Sequence, residues 1–205
     1  MPTPTELKAQ WRARLLRARR ERPVELVDAA GQALVDGVLL LARQVGAKTI
    51  AAYLSMPGEP PTGPALRALH EEGGEVLVPV VLADRDLDWI LWRPGLVLAA
   101  GPAGNPEPTG ATQGADALGR ADLVLTPGLA VDRAGTRLGR GGGSFDRALH
   151  RVRPGVLVAV LLFDDELVQT LPTEAHDRPV DVAITPSGLH RLRARRGGPH
   201  RPLAH

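Results

Sequence analysis

The 205-residue sequence contains no cysteine and few aromatic residues: three Trp, two Phe and one Tyr make up only 3% of it. The lack of cysteine excludes disulfides, thiolate metal sites and a cysteine nucleophile. Hydrophobic residues nevertheless account for 43% of the chain, so a buried core must rest mainly on Leu, Val, Ile and Ala. The chain is long enough to bury such a core within one domain.

Long apolar runs are also missing. No run approaches the roughly 20 residues that a membrane-spanning helix needs. The basic N-terminal stretch is not followed by the apolar segment of a secretory signal. These two absences predict a cytoplasmic protein without a membrane partner.

The net charge of +2 hides an uneven distribution of basic residues, which collect at 8–22 and at 191–201. A dedicated nucleic-acid domain would instead carry them along one face of its folded body, so no specific nucleic-acid partner is expected. The Gly, Pro, Arg and His of the C-terminus predict a folded domain over 1–186 and a disordered basic tail over 187–205. Nonspecific binding of that tail to RNA is the alternative.

Strand and helix patterns alternate along the chain. Apolar residues at helical spacing predict helices over Thr5–Glu21 and Val24–Val45, and a third helix over Thr62–Glu72. The alternation predicts a doubly wound α/β fold, in which helices flank a mostly parallel sheet in a Rossmann-like three-layer arrangement. Leu96–Gly119 is rich in Gly and Pro and predicts an extended loop. The predicted strands are Lys48–Leu54, Val76–Leu82 (an almost wholly apolar run, hence a buried strand), Leu87–Trp92, Leu123–Leu125, Val156–Leu162 and Val180–Ile184.

The segment Leu123–Arg147 is the most informative one. A short apolar strand ends at Pro127–Gly128, a loop rich in glycine follows, and a helix begins at Ser144. This order exposes backbone N–H groups to an anion, and Arg137 and Arg140 add charge suited to phosphate. The segment therefore predicts a phosphate site, with a flexible surface loop as the alternative. It lacks the Lys of a Walker A loop and does not complete a dinucleotide fingerprint.

The stretch Pro127–Asp146 closely resembles the signature of the 5-formyltetrahydrofolate cyclo-ligase family, also called methenyltetrahydrofolate synthetases. Three further segments resemble motifs of that family in the same order: Lys8-x-x-x-Arg12, Tyr53–Glu59 and Leu171–Asp177. The resemblance implies a ligase that uses ATP and Mg²⁺ to cyclise 5-formyltetrahydrofolate to 5,10-methenyltetrahydrofolate. The implied route passes through a phosphorylated formyl group (an iminium phosphate) and releases ADP and phosphate.

The resemblance also implies roles for individual residues. Lys8, Arg137 and Arg140 would act in catalysis, and Asp146 and Asp177 would hold Mg²⁺. Folate would be bound by Leu54, Glu59, Arg140 and Ser144. ATP would be bound by Lys8, Arg12, Arg137, Leu138, Gly139, Arg140, Gly141, Gly142, Gly143, Ser144 and Phe145.

Each of these roles has an ordinary structural alternative. Lys8 and Arg12 share one helix face, and such charged faces usually meet solvent. Asp146 stands in the first turn of a helix, where a carboxylate stabilises the helix dipole. Glu59 is, on the sequence alone, an exposed loop residue. Trp89 and Trp92 are either core residues or rings that stack on the pterin of the substrate.

The chain departs from the family signature at a few positions. Ser144 and Phe145 replace a pair of tyrosines, Val131 replaces a Phe, and Glu166 replaces a common Gln. The loss of two phenolic hydroxyls favours a second function, a catalytically weak homologue that binds folate or nucleotide as a sensor or store. Either function predicts small-molecule partners and a monomer.

Overall fold

The structure is a computed structural model that describes residues 2–101, 106–174 and 177–192. Four α-helices occur in this part: α1 (Pro4–Glu21), α2 (Val24–Val45), α3 (Gly63–Glu71) and α4 (Ser144–Ala148), with 3₁₀ turns at Ala115–Arg120, Leu149–Arg151 and Asp164–Glu166. The strands are β1 (Thr49–Ala51), β2 (Glu75–Val81), β3 (Leu87–Leu91), β4 (Leu98–Ala100), β5 (Pro106–Pro108), β6 (Leu123–Pro127), β7 (Ala130–Asp132), β8 (Arg137–Leu138), β9 (Leu157–Leu161), β10 (Leu167–Val168), β11 (Val182–Thr185) and β12 (Gly188–Arg191).

The central sheet has seven strands in the order β12-β11-β9-β6-β1-β2-β3. Its five inner strands are parallel, and each edge strand pairs antiparallel with its neighbour. From β1 the chain winds to β2 and β3, then returns to the other side of β1 at β6 and continues outward. The predicted doubly wound, mostly parallel sheet is therefore confirmed, with its switch point between β1 and β6.

Two apolar layers cover the sheet. On one face, α2 and α3 bury Leu34, Leu41 and Leu66 against alternate residues of the parallel strands. On the other face, the 3₁₀ turn at 115–120 and α4 cover the sheet through Leu118 and Ala148. Because side chains of a strand alternate between the faces, each inner strand contributes to both layers. This is the predicted three-layer arrangement.

A second, smaller sheet carries the loop after β6. It consists of β10, β7 and β8, with β7 and β8 forming an antiparallel hairpin. α1 packs on this sheet through a small apolar cluster that includes Leu15, Leu129 and Leu138. The N-terminal helix therefore lies against the glycine-rich segment rather than over the main sheet.

Three sequence-based expectations need correction. The predicted tail does not start at 187, because β12 pairs antiparallel with β11 and extends the sheet to Arg191; residues 193–205 lie outside the described part. Leu96–Gly119 is not one extended loop, since it contains β4, β5 and a 3₁₀ turn. β2 is buried only in its first half, and Val81 at its end is 39% exposed.

In the described ranges, no helix combines the length and apolarity needed to cross a membrane.

Candidate active site

A cavity of about 320 Å³ opens beyond the carboxyl ends of β1 and β6. These neighbouring strands flank the switch point of the sheet, where ligands of doubly wound folds bind. Glu59 and residues of the Arg137–Asp146 loop line this same cavity. The lining residues are Tyr53, Leu54, Met56, Glu59, Pro79, Val81, Leu87, Pro106, Glu107, Pro108, Pro127, Gly128, Arg137, Gly139, Arg140, Gly141, Gly142, Gly143, Ser144, Phe145 and Asp146.

The hairpin between β7 and β8 has a rigid turn. The buried carboxylate of Asp132 accepts hydrogen bonds from the backbone N–H groups of Ala134 and Thr136, both at 2.9 Å, and from Leu171 at 3.1 Å. All three of these hydrogen bonds come from the backbone, so the part of Asp132 is structural. The turn fixes β8, on which Arg137 enters the cavity.

Arg137 is a buried cation at the cavity wall. Its Nη1 donates to the Pro127 carbonyl at 3.0 Å, and its Nη2 donates to Asp146 Oδ1 at 2.5 Å. Its Nε is buried without a hydrogen-bond partner in the described chain. The Asp146 side chain keeps 26% exposure and lines the cavity. A fixed cation and a partly accessible carboxylate thus stand side by side at the glycine loop.

α4 is preceded by its N-cap residue Gly143, whose φ of 73° lies in the left-handed region that favours glycine. This start directs Ser144, Phe145 and Asp146 to the cavity wall. The Phe145 ring packs edge-on against Tyr53 and Trp89, with ring centroids 6.4 and 6.5 Å apart. One aromatic ring of the family's tyrosine pair is thus retained, without its hydroxyl.

Glu59 is only 5% exposed, so the exposed-loop alternative is wrong. Its Oε2 accepts from the Met56 N–H at 2.9 Å, and its Oε1 lies 3.2 Å from Nε of Arg140. The loop is fastened by Thr62, which donates to the Tyr53 carbonyl at 2.8 Å and accepts from the Ser55 N–H. A buried carboxylate therefore faces the cavity, with Arg140 as its cationic neighbour.

Burial raises the pKa of Tyr53 well above its ordinary value, and the nearby charge of Glu59 raises it further. The Tyr53 hydroxyl therefore stays protonated at neutral pH. Its ring serves as part of the cavity wall beside Leu54.

Trp89 is fully buried and Trp92 is nearly so, which places both in the core, as the packing alternative expected.

α1 brings two of the predicted residues to the site's periphery. Arg12 Nε donates to the Gly139 carbonyl at 2.9 Å, so this helix contacts the glycine loop directly. Lys8 is 3% exposed, and its Nζ lies 2.7 Å from carboxylate oxygens of both Glu174 and Asp177. The solvated-face alternative is therefore wrong for Lys8.

The two predicted metal carboxylates have different cationic partners: Asp146 pairs with Arg137, and Asp177 pairs with Lys8. Asp146 lines the cavity, whereas Asp177 is not among its lining residues. In the described ranges, no group of three or more His, Cys, Asp or Glu side chains is placed to hold a metal ion. A metal here would take most of its ligands from substrate and water.

A model of the 5-formyltetrahydrofolate cyclo-ligase family matches residues 4–186. The chain belongs to this family. The class of protein expected from the motifs, a ligase enzyme, is thereby confirmed.

Individual cyclo-ligases agree over nearly their whole length. The 5-formyltetrahydrofolate cyclo-ligase of Mycolicibacterium smegmatis is 37% identical over 192 residues, which cover 91% of this chain and 97% of the relative. That of Escherichia coli K12 is 31% identical over 172 residues, covering 82% and 94%. The NMR structure of Aquifex aeolicus 5,10-methenyltetrahydrofolate synthetase superimposes with a TM-score of 0.76 at 28% identity, covering 97% of this chain and all of that one.

The motifs predicted the charged side of this cyclo-ligase cavity but, apart from Leu54 and Phe145, missed its apolar side. Pro79, Val81 and Leu87 form a wall from β2 and β3, and Pro106–Pro108 of β5 adds to it. Two signals pointed there: a Pro near the end of an apolar run, and a Pro-rich segment after it. The buried Arg19 behind the cavity was also missed, because on the sequence it is one of several arginines on α1.

Proposed function

We propose that the chain catalyses the ATP-dependent cyclisation of 5-formyltetrahydrofolate to 5,10-methenyltetrahydrofolate. The observation that carries this proposal is that one cavity holds groups suited to two different ligands. The buried carboxylate of Glu59, a hydrogen-bond acceptor, lines one side, and Arg137 with the glycine loop lines the other. The first suits the N–H donors of a pterin, and the second suits phosphate. The cavity volume of about 320 Å³ falls within the range for small-molecule sites.

The proposed chemistry is phosphoryl transfer followed by ring closure. The formyl oxygen attacks the γ-phosphorus of ATP, ADP leaves, and an N5-iminium phosphate forms. N10 then attacks the activated carbon, the C–O bond breaks, and the oxygen leaves with the phosphate while N10 loses its proton. Such a reaction depends on charge neutralisation and accurate placement more than on acid–base groups.

The residues that line the cavity fall into a phosphate-binding group and a folate-binding group. Arg137 and the glycine loop would hold the phosphates, aided by Arg12 and Lys8 from α1. Glu59 and Leu54 would hold the folate, with Ser144 and Phe145 at the boundary between the two substrates. Arg140 now neighbours Glu59, and the folate's N–H donors would replace it there, which would turn its guanidinium toward the phosphates.

Asp146 fits a magnesium ion, because its carboxylate lines the cavity beside the glycine loop and is partly accessible. Mg²⁺ usually takes one or two carboxylates and completes its shell with phosphates and water. When bound, it would neutralise phosphate charge. Asp177 stays a prediction as a second ligand, since its carboxylate now accepts from Lys8.

The test is to follow the absorbance of 5,10-methenyltetrahydrofolate formed from 5-formyltetrahydrofolate and Mg-ATP. We expect product only when both ATP and a divalent cation are present. Glu59→Gln should weaken folate binding by about 10- to 100-fold and spare ATP, because a hydrogen bond to a charged acceptor contributes about 1.5–3 kcal/mol. Equal turnover after complete chelation, or unchanged folate affinity in Glu59→Gln, would contradict these assignments.

The second candidate is a folate- or nucleotide-binding homologue with little turnover. Ser144 and Phe145 favour it, because the two family hydroxyls are missing at the cavity wall. The same assay separates the two functions when calorimetry of folate and ATP binding accompanies it. Tight binding of both substrates without product would select the binding protein over the enzyme.

A further inference from the structure

A buried ion pair joins the end of α1 to the 3₁₀ turn after β9. Arg19 Nε and Nη2 donate to the two carboxylate oxygens of Glu166 at 2.6 and 2.7 Å. Both side chains are 2% exposed. Glu166 also accepts from the N–H of Phe163 at 3.0 Å. The pair is bidentate and lies directly behind the cavity wall.

Stability does not explain this pair. Removing two charges from water costs several kcal/mol per ion, and apolar replacements of buried pairs are often neutral or stabilising. Burial raises the pKa of Glu166 despite the opposing hydrogen bonds and charge of Arg19. In addition, Arg19 Nη1 is buried without a hydrogen-bond partner in the described chain. The buried pair therefore carries a free-energy cost for the folded state.

The pair does have a direct connection to the site. Arg19 Nη2 also donates to the Gly128 carbonyl at 2.7 Å, and Arg137 donates to the preceding carbonyl, that of Pro127, at 3.0 Å. A Cβ on Gly128 would lie 2.6 Å from Val160 Cγ2, so the backbone here lies directly against β9. Two guanidinium groups therefore hold consecutive carbonyls of one tightly packed turn.

We propose that Arg19 and Glu166 are a positioning pair, which fixes the Pro127–Gly128 turn and through it the place of Arg137 at the phosphates. This inference rests on the proposed function and adds two residues to its machinery. Glu166 orients the Arg19 guanidinium, Arg19 holds the Gly128 carbonyl, and Arg137 is docked on the neighbouring carbonyl. Neither member of the pair touches the substrate.

The test replaces the pair with apolar residues of similar size, Arg19→Met with Glu166→Leu. We expect kcat to fall by about 10- to 100-fold, as small displacements of phosphate-binding groups do, and ATP binding to weaken, while the KM for folate changes little. The melting temperature should stay equal or rise. A purely structural pair would show the reverse: a lower melting temperature with normal kcat per folded molecule.

A matched control uses the neighbouring pair of Arg22 and Asp165, which joins the same two segments at 2.7 Å but is exposed at its carboxylate. Arg22→Met with Asp165→Leu should leave kcat and ATP binding unchanged. Arg19→Lys, which keeps the charge and most of the volume, should fold and show an intermediate kcat, because an ammonium cannot reproduce the planar bidentate geometry.

The outcomes separate this inference from the proposed function. An active wild type with wild-type kcat and ATP affinity in both Arg19 variants would overturn the positioning pair and leave the function standing. A wild type that binds ATP without turnover would contradict the function, and calorimetry of ATP binding in the variants would then decide the pair. A wild type that neither binds ATP nor turns over would overturn both.

Discussion

The two N-terminal helices are similar in length and differ in how they are held. α2 buries Ala30, Leu34, Val38 and Leu41 and is packed on the sheet by apolar contacts. α1 buries three residues, of which Lys8 and Arg19 are charged and only Leu15 is apolar. Charged side chains are rarely buried unless they are paired. α2 is therefore held by apolar packing, whereas α1 is held in large part by paired buried charges, which we propose serve the site beside it.

The contacts of α1 share one direction. Lys8 pairs with the segment at 174–177, Arg12 holds the glycine loop at Gly139, and Arg19 holds the turn at Gly128. Each contact joins the helix to a region that carries a proposed ligand group or positions one. Buried charge, more than buried area, therefore distinguishes α1 from α2.

The largest expected effect is a loss of stability from a change in α2, the helix held by apolar contacts. Leu34→Ala should lower the free energy of unfolding by about 2–5 kcal/mol, because Leu34 is fully buried between α2 and the sheet and its loss leaves a cavity. Turnover per folded molecule should be unchanged. Urea unfolding and active-site titration measure the two quantities. A fall in kcat with normal stability would contradict the division between the helices.

A smaller effect, on activity, should follow from changing α1. Lys8→Met should lower kcat/KM for ATP by about 10- to 100-fold, since a hydrogen bond to a charged group contributes about 1.5–3 kcal/mol. Initial rates at varied ATP give this value. Arg17→Met is the matched control, because Arg17 is exposed on the same helix. Equal losses in both variants would show that helix charge in general, and not Lys8, is responsible.

The smallest effect concerns pH. Burial raises the pKa of Glu166 in the folded protein above its unfolded value, so the folded state takes up a proton more readily. The stability that this adds is fully present below the unfolded pKa and is lost as pH rises through the folded pKa. Relative to Glu166→Gln, the wild type should therefore gain stability as pH falls from 7 toward 4.

Unfolding free energies of both proteins across that pH range measure the difference. Parallel curves would show that the pKa of Glu166 is not raised, and would weaken the view that the α1 pair is costly to the fold. A difference that grows toward low pH would sharpen the contrast between α1 and α2, because α2 buries no ionisable group.

Local sequence patterns were sufficient to predict most helices and strands and the charged residues that line the cavity. α2 begins and ends where its apolar spacing and Gly46 predict, and the parallel strands lie where short apolar runs occur. Hairpin pairing was not visible in the same way: β4 and β5 pair within a segment that its Gly and Pro content marks as a loop. Each of these two strands has only three residues, too few to show the alternation of apolar and polar residues that marks a strand in a sequence.

The sequence by itself determined the alternation of strands and helices, the family, and the Arg, Gly, Glu and Asp residues that meet at the cavity, because periodicity and motif spacing are local properties. Only the tertiary structure decided which charges are buried and with which partners. Lys8 and Asp177 are together because α1 packs on the small sheet, and Arg19 differs from its exposed neighbours because its turn of the helix meets Glu166 and Gly128. Burial and pairing are set by long-range packing. Burial also gives Arg19, alone among the arginines of this basic helix, a large desolvation cost in the folded state.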